Sequence, residues 1–149
     1  MLLKSVLIDQ LEGELDEEEQ LLQAELYDLK RDQNNQSKSS AGDKYETDRE
    51  MAKQAEEKIL ERLTYNRQQM LQLQNLKSLP KREEITVGSL VKTKQASFFF
   101  GISKGKMNIQ GSPIFMVSLN SPIGKAFQGK KAGTEVLFRN ENYQIQSIH

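Results

Sequence analysis

Leu7, Leu11, Leu15, Leu22 and Leu29 recur at steps of four and seven through residues 2–35, a stretch with no proline and one glycine. Glu, Gln, Asp and Lys surround that seam. A helix covering a globular core carries three or four apolar positions per two turns, so a stripe this narrow suits a two-stranded coiled coil instead. A second seam, Ala52, Ile59, Leu63, Met70 and Leu73, runs through residues 43–79 at steps of three, four and seven. The segment between them, Asn34 to Gly42, is small, polar and turn-forming. The pattern predicts an antiparallel hairpin over residues 1–79, its arms of ~30 residues each about 45 Å long. A helical linker dimerising through the same seam is the alternative. The short turn and the matched arms favour the hairpin.

The chain changes character near Pro80. Residues 1–79 hold 11 Lys and Arg against 17 Asp and Glu, while residues 80–149 hold 10 against 4. The net charge of zero therefore conceals two parts of opposite sign. Every proline, every Phe and all glycines but Gly13 and Gly42 lie at residue 80 or later. Short apolar runs between turn signals predict strands at Ser89–Lys92, Phe98–Ile102, Ile114–Leu119, Glu135–Phe138 and Tyr143–Ile148. One short helix is signalled, with Ser121 to cap it, Pro122 in its first turn and Gly129 to end it. The expected fold class is α+β: a long N-terminal antiparallel coiled-coil hairpin (1–79), then a small β-rich domain (80–149).

Several chemistries are excluded. There is no cysteine, hence no disulfide, thiolate zinc site or thiol nucleophile. The one histidine, His149, is the last residue, so neither a Ser-His-Asp triad nor a multi-histidine metal site is expected. Residues 1–9 lack an apolar run long enough for a signal peptide or a span, and a cytoplasmic protein is expected, with no membrane partner. Lys125, Lys130 and Lys131 surround the short helix, but the basic count is too modest for direct DNA readout.

The expected tip, near residues 36–50, is the chemically informative segment. Asp43, Glu46, Asp48 and Glu50 stand within eight residues. On a helix, Asp43, Glu46 and Glu50 share one face. Carboxylates so placed can offer part of a coordination shell to a hard cation such as Mg²⁺, with the rest left to water or to another macromolecule. By spacing alone capping is the better explanation, with Ser40-x-x-Asp43 as a capping box or Asp43 itself as the N-cap, and Asp48 and Glu50 as solvated charge.

Two stretches resemble the Gre transcript-cleavage factors of bacterial RNA polymerase. The tip Gly42-Asp43-x-x-Glu46 is similar to their Gly-Asp-x-x-Glu-Asn. Residues 118–136, from Ser118-Leu119-Asn120-Ser121-Pro122-Ile123-Gly124-Lys125-Ala126-Phe127 through Gly129-Lys130-Lys131 and Gly133 to Val136, resemble a C-terminal motif with one proline and three glycines at fixed spacing. The sequence departs from the family pattern at Thr47, where Asn is usual, at Glu50, near the place of a Tyr, and at Thr134-Glu135, where one Asp precedes the Val. The resemblance implies an FKBP-like C-terminal domain and a transcription elongation factor that binds the RNA polymerase core. The coiled coil would enter the secondary channel, with Asp43 and Glu46 near the RNA 3′ end. It implies no stand-alone enzyme and no cofactor held alone, only Mg²⁺ shared with the polymerase by Asp43 and Glu46. Docking is implied for Ser121, Pro122, Gly124, Lys125 and Lys130. Other readings are a channel regulator without cleavage, an FKBP-like prolyl isomerase or chaperone with Phe98, Phe99, Phe100, Phe115 and Tyr143 as its pocket, and a coiled-coil adaptor.

Overall fold

In the computed structural model the described residues are 2–36 and 42–149, the side chains of Leu2, Asn35, Gln36 and residues 42–45 excepted. Two long helices, α1 (Leu2–Gln36) and α2 (Gly42–Lys77), precede six strands and one short helix. The strands are β1 (Ser89–Thr93), β2 (Ser97–Phe100), β3 (Gly105–Ile109), β4 (Ser112–Val117), β5 (Glu135–Phe138) and β6 (Glu141–Ile148); α3 (Pro122–Phe127) lies between β4 and β5. The class is α+β, as the sequence leads one to expect. The chain forms two compact units, Leu11–Leu71 and, separately, the residues up to Gln10 with Gln72–His149.

In the first unit the seam does what its period requires. Leu11, Leu15, Leu22 and Leu63 are buried, while the acids between them stay at the surface. The direction of pairing is read from contacts between the arms. Arg62 reaches Glu18 (3.1 Å) and Glu25 (3.9 Å), Arg67 reaches Glu19 (2.6 Å), and Lys30 reaches Glu56 (4.0 Å). Partners late in α1 meet residues early in α2, so the arms are antiparallel. Exposed pairs of this kind contribute only ~0.2–1 kcal/mol each, so burial of the leucines carries the stability and the charges select the register.

Asn66 is, with Gln69, one of two polar side chains buried among the described residues of this unit. It is 6% exposed, and its amide donates to the Leu15 carbonyl (2.9 Å). A buried amide costs stability but penalises any slip that would leave it unpaired. Asn66→Leu is expected to raise the stability of the hairpin by ~1 kcal/mol, and Asn66→Ala to lower it by about as much. Urea unfolding followed at 222 nm checks both signs; a loss in both variants would show that the hydrogen bond outweighs apolar burial.

In the second unit the sheet runs β3-β4-β2-β1-β6-β5. Every neighbouring pair is antiparallel except β2 with β4. That parallel pair arises because β3 folds back as a hairpin onto the outer side of β4. The β3–β4 turn, Gln110-Gly111, and the β5–β6 turn, Arg139-Asn140, have positive φ at both central residues. Two-residue turns of that hand match the twist of the strands they join. β3 itself was outside the sequence expectation. Only Met107 and Ile109 are buried in it, between exposed Lys106 and Asn108, so it presents an alternation too short to stand out.

One face of the sheet carries the main core: Ile85, Val91, Phe98, Phe100, Phe127, Val136, Ile145 and Ile148. Leu90 and Phe99, cross-strand partners, are also buried but alternate with that set and so face the other way. The end of α2 lies on their side. A Cβ at Gly101 would meet Leu76 Cδ1 at 3.1 Å and Phe99 Cε1 at 3.3 Å. Leu76 is itself 6% exposed, so the second face is covered near Gly101, whereas Leu137 of β5 is 68% exposed.

Candidate functional site

The tip begins where α2 begins. The helix starts at Gly42, so Asp43 stands inside its first turn and Glu46 three residues on, which puts both on one side of the helix. Carboxylates there also meet the favourable end of the helix dipole. The Asp43 side chain and Ser40 lie outside the described residues. Glu46 and Glu50 are exposed. Asp48 is half-buried and lines a shallow groove of about 340 Å³ with Leu29, Asp32, Gln33, Met51 and Ala52. Among the described residues no group of three or more His, Cys, Asp or Glu could hold a metal ion. Two carboxylates can supply only part of the shell of a hard cation, because such ions take six or more oxygens.

The motif around α3 is explained by folding geometry. The Ser121 hydroxyl accepts from the Gly124 N–H (3.1 Å) and donates to the Ser118 carbonyl (2.5 Å). Pro122 occupies the first helical turn, where no amide hydrogen is needed. Gly124 is pressed against the preceding chain: a Cβ would lie 2.4 Å from the Ser118 oxygen and 2.5 Å from the Leu119 oxygen. After the helix, the Ile85 amide donates to the Lys130 carbonyl (2.9 Å) and the Gly129 amide to the Ile85 carbonyl (2.9 Å), tying the turn to the segment before β1. The side chains of Lys125 and Lys130 are exposed on this knuckle. Ser121, Pro122 and Gly124 thus hold a rigid turn that presents the two lysines to solvent.

The aromatic residues behind the knuckle pack on one another. Phe98 stands 5.3 Å from Phe127, 5.6 Å from Tyr143, 5.8 Å from Phe115 and 6.0 Å from Phe100, ring centre to ring centre. Phe98, Phe99 and Phe100 are buried, Phe99 on the opposite face, so the five aromatics do not line one pocket. Phe98, Phe100 and Phe127 are core, while Tyr143 is partly buried beside them and Phe115 is 38% exposed. The Tyr143 hydroxyl donates to Glu141 (2.8 Å), and that bond to a carboxylate, with some burial, pushes the phenol pKa up. Lys4 departs the other way: burial, and then the nearby Lys81 charge, pull its ammonium below the usual lysine range.

No helix among the described residues is long and apolar enough to cross a membrane. No family model matches the chain. No curated protein matches it. Among solved structures it is similar to one described as the structure of the transcription factor Gfh1, at 20% identity over 95% of this chain and 92% of that chain, with a TM-score of 0.35. A superposition that loose carries no argument about this chain, and the fold rests on its own elements and register.

Proposed function

We propose that this chain is a cytoplasmic accessory factor of bacterial RNA polymerase that enters the secondary channel with its hairpin and stimulates cleavage of backtracked RNA. The observation that carries the reading is the start of α2 at Gly42, which sets Asp43 and Glu46 one turn apart on one side of a helix at the turn of the hairpin. Helices of 35 and 36 residues extend about 50 Å, enough to reach a site buried within a large enzyme. The likeness of Gly42-Asp43-x-x-Glu46 and of residues 118–136 to Gre factors supports the same reading.

In this reading the leucine seam and the interarm charges keep the hairpin straight and in register, so the tip arrives in one geometry. Asp43 and Glu46 bring two negative charges and up to four acceptor oxygens to a place where the polymerase supplies the remaining ligands. A shared Mg²⁺ supplies charge that polarises a phosphodiester and acidifies water. Lys125 and Lys130, held on the α3 knuckle, contact acidic groups of the polymerase surface. The chain works only within that complex and is no enzyme by itself.

The test is transcript cleavage by stalled elongation complexes with wild type, Asp43→Asn and Glu46→Gln at matched occupancy. Both variants are expected to bind polymerase as the wild type does and to lose cleavage stimulation roughly a hundredfold, with partial rescue by excess Mg²⁺. Equal cleavage by all three proteins would leave Asp43 and Glu46 as helix-dipole partners, worth no more than ~1 kcal/mol to the hairpin. Thr47, in the place of the family's Asn, favours a second reading in which the hairpin occupies the channel and modulates the polymerase without cleavage. Wild-type binding with no cleavage would select it.

A further inference from the structure

We propose that Lys4, Lys81 and His149 form an oxyanion site that takes a phosphoryl group. Lys4 stands at the start of α1 and is half-buried, Lys81 follows the end of α2 and is exposed, and His149 follows β6. All three belong to one compact unit. His149 is fixed by its backbone: its amide donates to the Leu90 carbonyl and its carbonyl accepts from the Leu90 amide, each at 2.9 Å. Its imidazole Nδ1 is buried and has no hydrogen-bond partner among the described residues. The three side chains stand close enough to oppose one another. Burial, and then neighbouring charges that include Lys81 and Lys4, pull the imidazole below the usual histidine range, as burial and Lys81 do for Lys4.

No carboxylate answers these cations. Among the described residues neither Lys4 nor Lys81 has an ion-pair partner, the carboxylate of His149 included. A charge drawn partly out of water is ordinarily paired, because desolvation favours its neutral form. Here the reverse is built: a half-buried ammonium, a second ammonium and an imidazole share one place. The unit around them adds to the field, since residues up to 10 and from 72 onward hold 12 Lys and Arg against 5 Asp and Glu. A phosphoryl dianion offsets all three repulsions at once. It also gives a proton on Nδ1 an acceptor, which the free protein does not provide. Two lysines and a histidine suit a tetrahedral anion, because point charges need no planar, two-pronged partner. Exposed Lys81 leaves one side open for entry. The bound anion would join the start of α1 to the end of the sheet, so occupancy stabilises the unit as a whole.

The experiment titrates the full chain with sodium phosphate, and in a second arm with a nucleoside diphosphate, against sodium chloride at the same ionic strength. Nuclear magnetic resonance follows residues 4, 81 and 149. Saturable shifts at all three are expected with phosphate, with a Kd of roughly 1 mM, and none with chloride. Equal affinity for the diphosphate identifies the free anion as ligand, and tighter binding identifies the terminal phosphoryl group of a nucleotide. Lys4→Met and Lys81→Met should each weaken binding about tenfold, whereas Lys106→Met, on exposed β3, should leave it unchanged. In chloride alone Lys4→Met should melt no lower than the wild type, because it removes a charge that has no partner. Shifts that follow chloride as well as phosphate overturn the proposal, as does saturable binding indifferent to both lysine changes. A Lys4→Met protein that melts below the wild type in chloride overturns it too, since the lysine would then already have its partner.

Discussion

Gly124→Ala is expected to destabilise the β-sheet unit by at least ~3 kcal/mol, a large fraction of what a small domain has to lose. The added methyl would fall 2.4 Å from the Ser118 oxygen and 2.6 Å from the Leu119 carbonyl carbon. Both are backbone atoms, so no side chain can swing aside. Relief requires α3 to lift from the chain that precedes it, which breaks the Ser121 cap and uncovers Phe127. Gly129→Ala is the control. Gly129 has φ +79°, but nothing lies within 4 Å of its added Cβ, so only left-handed backbone strain of ~1–2 kcal/mol is expected there. Thermal unfolding of the two variants should separate them clearly. A Gly124→Ala midpoint no lower than that of Gly129→Ala would mean that α3 yields easily.

Phe127→Ala should cost ~3–5 kcal/mol. The ring is fully buried and sits 5.3 Å from Phe98, 5.5 Å from Phe100 and 5.6 Å from Tyr143. Removing it opens a cavity bordered by three other rings, tilted 46°, 37° and 59° to it, which cannot collapse inward without leaving their strands. Phe127→Leu, which keeps most of the volume, should recover more than half of the loss. Chemical denaturation with near-ultraviolet dichroism reads the effect directly, since the chain has no tryptophan and the cluster holds five of its ten aromatic residues. A loss of ~1 kcal/mol or less would mean that the cluster is loosely packed.

The hairpin was legible in the sequence because its period is carried by leucines against an almost wholly polar background. Leu11, Leu15, Leu22 and Leu63 are buried as that period requires. Asn66 was not legible: an amide among Gln and Arg reads as surface, and only the helix opposite makes it interior. In the sheet unit, Ser121 and Pro122 announced α3 through their local chemistry, and the structure gives both those roles. Gly124 read as part of a motif, but its reason is a clash with backbone six residues earlier, which no local rule contains. β3 escaped because two buried residues in five make a weak alternation. For the tip, the spacing of Asp43 and Glu46 fixes that they share a helical side, and spacing alone favours a charge that suits the helix end over a metal ligand.

The middle of the sheet has a consequence for synthesis. β1 pairs with β6, and the closing bonds run both ways between Leu90 and His149 (2.9 Å each). Residues up to Gln10 belong to that same unit, while residues 11–71 form their own. As the chain leaves the ribosome, the hairpin can close once α2 has emerged, through pairs such as Glu18–Arg62 and Leu15–Asn66 that are 44 and 51 residues apart. The sheet must wait for β6, nearly sixty residues after β1, and meanwhile Leu90, Val91 and the three phenylalanines of β2 stand uncovered. Folding of the second unit is thus a late, non-local event, and the nascent chain carries its most aggregation-prone segment through the whole interval.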